Sequence, residues 1–131
     1  MIPGRQSRIA IIPKRTVVLG ASPNPARYSY SAVLKLLEKG HIPFPVGLRD
    51  GEIDGISIEV GQPEIANIDT ITLYIGPDHQ PPLYDYILSL QPKRVIFNPG
   101  TENIELARLA QAAGILTVNA CNLVMLATGE F

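Results

Sequence analysis

Residues Thr16 to Tyr30 read Thr-Val-Val-Leu-Gly-Ala-Ser-Pro-Asn-Pro-Ala-Arg-Tyr-Ser-Tyr, an apolar run, a tight loop and the start of a helical pattern. Val17, Val18 and Leu19 suit a central parallel strand, buried on both faces, and Gly20 lets the chain turn sharply above the strand end. Backbone N–H groups in such a loop and in the first turn of the following helix lack intrahelical partners and carry partial positive charge. An anionic phosphate group fits there. A dinucleotide fingerprint would read Gly-x-Gly-x-x-Gly, whereas Ser22 and Pro25 occupy the second and third glycine positions of this chain.

The rest of the sequence alternates apolar runs with helical patterns, which predicts βαβ units around a parallel sheet. Strand one is Thr16 to Leu19. A helix from about Tyr28 to Lys39 places Ala32, Val33, Leu36 and Leu37 on one face, and Gly40 stops it. Strand two, Ile42 to Val46, contains Pro43 and Pro45 and is expected to be short or near a sheet edge, since proline lacks a ladder donor. Gly47 to Gly61, with its Asp-Gly turns, reads as an excursion over that edge. Strand three is Thr70 to Ile75, and Pro81 and Pro82 open a helix through about Leu90. Strand four is Arg94 to Phe97. It is followed by a helix from about Glu102 to Ala113, with Thr101 as N-cap and Gly114 as stop. Strand five is Ile115 to Val118, and a short helix spans Leu123 to Ala127. Right-handed crossovers then give a doubly wound α/β fold: a mostly parallel five-stranded sheet with helices on both faces.

With 131 residues the chain is long enough for one domain with its own core, and a net charge of −1 leaves no footprint for nucleic acid. The single cysteine, Cys121, excludes an internal disulfide, and no Cys/His cluster has zinc spacing. Ile9 to Ile12 is too short an apolar stretch for a signal-peptide core or a membrane span, so a cytoplasmic protein is expected. Met1 to Pro13 reads as an N-terminal extension or an extra edge strand.

In a doubly wound sheet, ligands bind beyond the carboxyl ends of the strands. Gly20-Ala21-Ser22, Gly47-Leu48-Arg49, Gly76-Pro77, Asn98-Pro99-Gly100 and Asn119-Ala120-Cys121 all fall there. Together, Gly20-Ala21-Ser22-x-x-Pro25, Tyr28-Ser29, Gly40-His41-x-Pro43-x-Pro45-Val46, Ile53-x-Gly55, Asn98-x-Gly100 and Gly114-Ile115 through Cys121 resemble a family of small stand-alone CoA-binding proteins. The Rossmann-like fold of that family is similar to the N-terminal domain of the succinyl-CoA synthetase α subunit. The resemblance covers residues 14–131. The family usually shows Pro-Val-Asn-Pro where this chain has Pro45-Val46-Gly47-Leu48, and a Gln where Asn98 stands.

The resemblance implies coenzyme A as ligand, with Gly20, Ala21 and Ser22 on the pyrophosphate. Pro45, Val46 and Gly47 would flank the adenine and ribose, with Arg49 near the 3′-phosphate. Ile75, Gly76 and Pro77 would line the pantetheine path, with Asn98 and Gly100 farther along. Arg27, in the first helical turn, is a second phosphate candidate, since a guanidinium makes charge-assisted bonds to phosphate. Taken singly, both arginines are more simply solvated surface residues. His41 reads as structural and His79 lacks an evident acid or nucleophile beside it. Tyr74 and Tyr84 read as packing residues, and Asp78 and Asp85 form no convincing acid/base pair. Cys121 is more often a small buried residue than a reactive thiol. No catalytic constellation is visible. The expected function is therefore a non-catalytic CoA or acyl-CoA binding module with no nucleic-acid or membrane partner. An NAD(P)-binding small oxidoreductase or regulator is the alternative.

Overall fold

The computed structural model describes residues 12–131, so most of the extension read over Met1 to Pro13 lies outside the described residues. Among the described residues there are eight strands and four α-helices. The apolar runs form β1 (Arg15–Leu19), β2 (Ile42–Gly47), β6 (Thr70–Leu73), β7 (Arg94–Phe97) and β8 (Leu116–Asn119). Between β2 and β6 lie β3 (Glu52–Ile53), β4 (Ile56–Ser57) and β5 (Glu59–Val60). The helices are α1 (Tyr28–Glu38), α2 (Tyr84–Ser89), α3 (Ile104–Ala112) and α4 (Asn122–Thr128). Two single 3₁₀ turns, Pro77–His79 and Pro81–Leu83, precede α2.

The main sheet runs β5-β2-β1-β6-β7-β8 and every neighbouring pair is parallel. The chain order reverses between β1 and β6, the kind of position at which a doubly wound sheet takes its ligands. Alternation along β1 splits the core in two. Val17 and Leu19 pack with Ile71, Leu73, Val95 and Phe97 beneath α2 and α3, through Ile87, Leu106 and Ala110. Val18 faces the other way and packs with Ile96 under Val33 and Leu36 of α1, joined by Leu126 of α4 and by Phe131. Both faces are thus covered, which is why the strands read as continuous apolar runs rather than alternating ones.

Among the described residues the main sheet has six strands where five were expected. The sixth, β5, is two exposed residues long and pairs only with Val46 and Gly47, too short to register as a pattern in the sequence. Its shortness has a cause in β2. The Ile42 N–H donates to the Lys14 carbonyl beside β1, so donors at alternate positions 42, 44 and 46 face β1 and those at 43 and 45 would face the edge. Prolines occupy both edge-facing positions, and a ladder on that side begins only beyond Pro45. Between β2 and β5, β3 and β4 form a separate antiparallel hairpin turned by Asp54 and Gly55, both with positive φ (51° and 82°). That geometry matches the Asp-Gly hairpin turn whose twist suits the flanking strands.

Helix α1 starts at Tyr28 and is stopped by Gly40 (φ 86°), as its pattern predicts. The cap of α3 differs from expectation. Asn103, not Thr101, is the N-cap: its Oδ1 accepts from the N–H groups of Glu105 and Leu106 at 3.0 and 3.3 Å. Thr101 is buried two residues earlier and donates its hydroxyl to the Asn98 carbonyl at 2.8 Å.

Candidate functional site

The carboxyl ends of β1, β2 and β6 close on one another at Gly20. The N–H groups of Gly20 and Ala21 both donate to the Val46 carbonyl at 2.9 Å, so the loop after β1 is pinned against β2. Gly20 has φ 97°, and a Cβ there would lie 2.7 Å from Ile75 Cγ1 and 2.9 Å from the Tyr74 carbonyl. At Gly47 a Cβ would meet the Ala21 carbonyl oxygen at 2.2 Å. Both glycines are therefore required by close approach of backbones, and the candidate triplets Gly20-Ala21-Ser22, Pro45-Val46-Gly47 and Ile75-Gly76-Pro77 meet at one place.

Inside the loop, polar groups are engaged in an order the sequence did not disclose. Ser22 Oγ accepts from the Asn24 N–H at 3.1 Å, and Asn24 Oδ1 accepts from the Ala26 N–H at 3.0 Å. These are the local side-chain turns that Ser and Asn favour. The Arg27 N–H donates to the Asn24 carbonyl. Consequently fewer loop amides are free than a bare loop would offer. Among the described residues, the N–H groups of Ser22, Tyr28 and Ser29 have no protein acceptor, and the Ser22 hydroxyl keeps its own proton to donate. Arg27 is the extended N-cap residue of α1, with no side-chain cap bond. It is exposed, as is Arg49 in the loop after β2. The one ion pair among the described residues joins Lys35 and Glu38, so neither arginine is held by a carboxylate there.

Asn98 sits lower than a rim residue. It is buried, its Nδ2 donates to Thr72 Oγ1 and the Leu73 carbonyl at 2.7 and 2.8 Å, and its Oδ1 accepts from the Asn122 N–H at 2.8 Å. This side chain ties the ends of β6 and β7 to the start of α4. Gly100, by contrast, is exposed, turns with φ 91°, and has open space where a Cβ would stand. Gly76 is equally unobstructed.

The titratable groups of the carboxyl-end loops include Asp78, His79, Glu102 and Cys121. His79 is exposed, and its side chain makes no hydrogen bond among the described residues. Burial pushes the Tyr74 hydroxyl up to about 12, so it stays protonated at neutral pH. Cys121 is half-buried at the backbone N-cap of α4. Among the described residues no three His, Cys, Asp or Glu side chains cluster as metal ligands, and no helix is long and apolar enough to cross a membrane. A groove of about 420 Å³ runs along the open edge of β2, lined by Leu37, Pro43, Phe44, Pro45 and Ile56 among others. Of the candidate ligand contacts, only Pro45 reaches it.

A family model described as a CoA binding domain matches residues 14–127. The chain belongs to that family. No curated protein matches it. Among solved structures, one titled only as an uncharacterized protein is 50% identical, with a TM-score of 0.90 over 92% of this chain and all of that one. A hypothetical protein from Pyrococcus horikoshii OT3 is 27% identical, with a TM-score of 0.74 over 85% of this chain and 80% of its own. The dinucleotide-forming acetyl-coenzyme A synthetase 1 of Ca. Korarchaeum cryptofilum, solved with phosphate and ADP, shares the fold at 20% identity, with a TM-score of 0.66. The match covers 82% of this chain and 26% of the synthetase. In this CoA-binding-domain chain, Asn24, Gln80 and Asn103 are polar residues of the strand-end loops that sequence reading missed. Gln80 lies in a Gly/Pro-rich segment that reads as loop, and a glutamine there carries no signal of burial.

Proposed function

We propose that this chain binds CoA or an acyl-CoA and holds it without transforming it. The pyrophosphate rests at Gly20-Ala21-Ser22, where the Ser22 hydroxyl and the free amides of Ser22, Tyr28 and Ser29 supply donors. Arg27 and Arg49, exposed and unpaired among the described residues, reach for the phosphates. Pro45, Val46 and Gly47 flank the adenosine. The pantetheine arm leaves past Ile75, Gly76 and Pro77 toward Asn98 and Gly100.

The observation that carries this reading is the glycine-enforced junction at Gly20, in a chain of the CoA-binding-domain family. Holding rather than reacting is supported by Asn98, whose amide is engaged in internal bonds, and by Tyr74, whose hydroxyl burial keeps protonated. Calorimetry with CoA, acetyl-CoA, NAD and NADP tests the proposal. Binding of a CoA species that is lost in Gly20→Val supports it, whereas silence toward both CoA species at millimolar concentration refutes it.

A further inference from the structure

Gln80 is fully buried between the loops that follow β6 and β7. Its Nε2 donates to the Ile75 carbonyl at 2.9 Å and to the Thr101 carbonyl at 2.8 Å, and its Oε1 accepts from Asn103 Nδ2 at 2.9 Å. Both amide protons and the amide oxygen are thus engaged. Asn103 continues the chain: its second amide proton goes to the Tyr84 oxygen at 2.8 Å, and the Tyr84 hydroxyl donates to Glu105 Oε1 at 2.9 Å. The two carbonyls gripped by Gln80 immediately precede Gly76-Pro77 and immediately follow Gly100. A Cβ at either glycine would meet nothing within 4 Å, and beyond the last β6–β7 pair, Leu73 and Phe97, and the Asn98 bonds at their base, Gln80 joins the two loops directly. A buried amide with every hydrogen bond made is a rigid spacer, since losing either carbonyl contact would leave an unsatisfied buried group.

We infer that Gln80, aligned by Asn103, is a positioning residue that fixes the distance between the Ile75-Gly76-Pro77 and Asn98-Pro99-Gly100 loops, and with it the fit of the pantetheine arm. This rests on the CoA reading above. The adenosine end of the ligand would lie at β2, one strand further from the spacer than the pyrophosphate at Gly20. The spacer therefore acts on one half of the molecule, which a merely stabilising residue would not do.

The test compares the affinity of each protein for whole CoA and for adenosine 3′-phosphate 5′-diphosphate, the same ligand without pantetheine. Asn103→Asp keeps the oxygen that caps α3 and removes the donors to Gln80 and Tyr84; Gln80→Met removes the grip on both carbonyls at similar volume. Asn103→Asp is expected to weaken CoA by about threefold to tenfold, and Gln80→Met by more, with the pantetheine-free ligand unchanged. If Gln80→Met does not melt cooperatively, Asn103→Asp decides alone. Equal losses for both ligands, or no loss for either, overturn the inference and leave the CoA reading standing. A wild-type protein that binds neither ligand overturns both.

Discussion

At the scale of single residues, two positions separate packing from chemistry. Gly20 combines a positive φ with a backbone neighbour under 3 Å from any Cβ. Gly20→Val is expected to cost at least the about 1–3 kcal/mol of a strained backbone, read by urea denaturation, and to abolish the stabilisation given by CoA. Ligand binding that survived would put the phosphates elsewhere. His41 makes a second, independent prediction far from the carboxyl-end loops. Its Nδ1 accepts the Lys14 N–H at 3.0 Å, which requires the neutral ring, and the ring packs 4.8 Å from that of Phe131. The Phe131 carbonyl in turn accepts from Lys14 Nζ and from Arg94 Nη1. Burial first, then the positive charges of Lys14 and Arg94, hold the His41 pKa below 6.5, with Asp69 opposing. The unfolded chain therefore takes up the proton before the folded one does. Stability is full above about pH 6.5 and falls as pH drops through that value toward the folded pKa. His41→Asn, whose oxygen can accept the same N–H, should flatten this part of the pH–stability curve. An unchanged slope would show that another group titrates there.

At the scale of elements, legibility followed pattern length. The pattern placed β7 at its observed limits and α1 to within one residue, because both are runs whose apolar spacing has one solution. The prolines of β2 announced an edge effect, and they shape the edge by silencing the donors at 43 and 45 rather than by shortening the strand. β5 escaped notice because two exposed residues have no period to read. The start of α3 was misassigned because Thr101 and Asn103 are both good capping residues, and only the geometry shows which oxygen reaches the free N–H groups. Both Asn103→Ala and Asn103→Asp leave Gln80 Oε1 without its donor, and only the alanine also loses the cap, so Asn103→Ala should be less stable than Asn103→Asp by about 1 kcal/mol. Equal losses in the two variants would contradict the capping role. The strand-end loops were legible as positions on the chain. Their internal bonding was not: Ser22 and Asn24 close local side-chain turns, and Gln80 and Asn98 find partners through tertiary contacts that no local pattern encodes.

For the whole molecule, helices on both faces bury the sheet and bring the loops after β1, β2, β6 and β7 to one end. The topology thereby gathers scattered Gly, Pro and Asn signals at the carboxyl ends of the strands, around the β1–β6 reversal. Membership of the CoA-binding-domain family favours a nucleotide with a long arm over a dinucleotide, in keeping with Ser22 and Pro25 standing where a dinucleotide fingerprint has glycine. A ligand that binds only the folded chain raises its apparent stability, by about 2.7 kcal/mol at a concentration one hundred times its Kd. The most direct test is the thermal unfolding of the wild-type chain titrated with CoA, acetyl-CoA, NAD and NADP. A concentration-dependent rise in Tm is expected with a CoA species and none with NAD or NADP. A rise with either dinucleotide and none with CoA or acetyl-CoA would contradict the CoA reading.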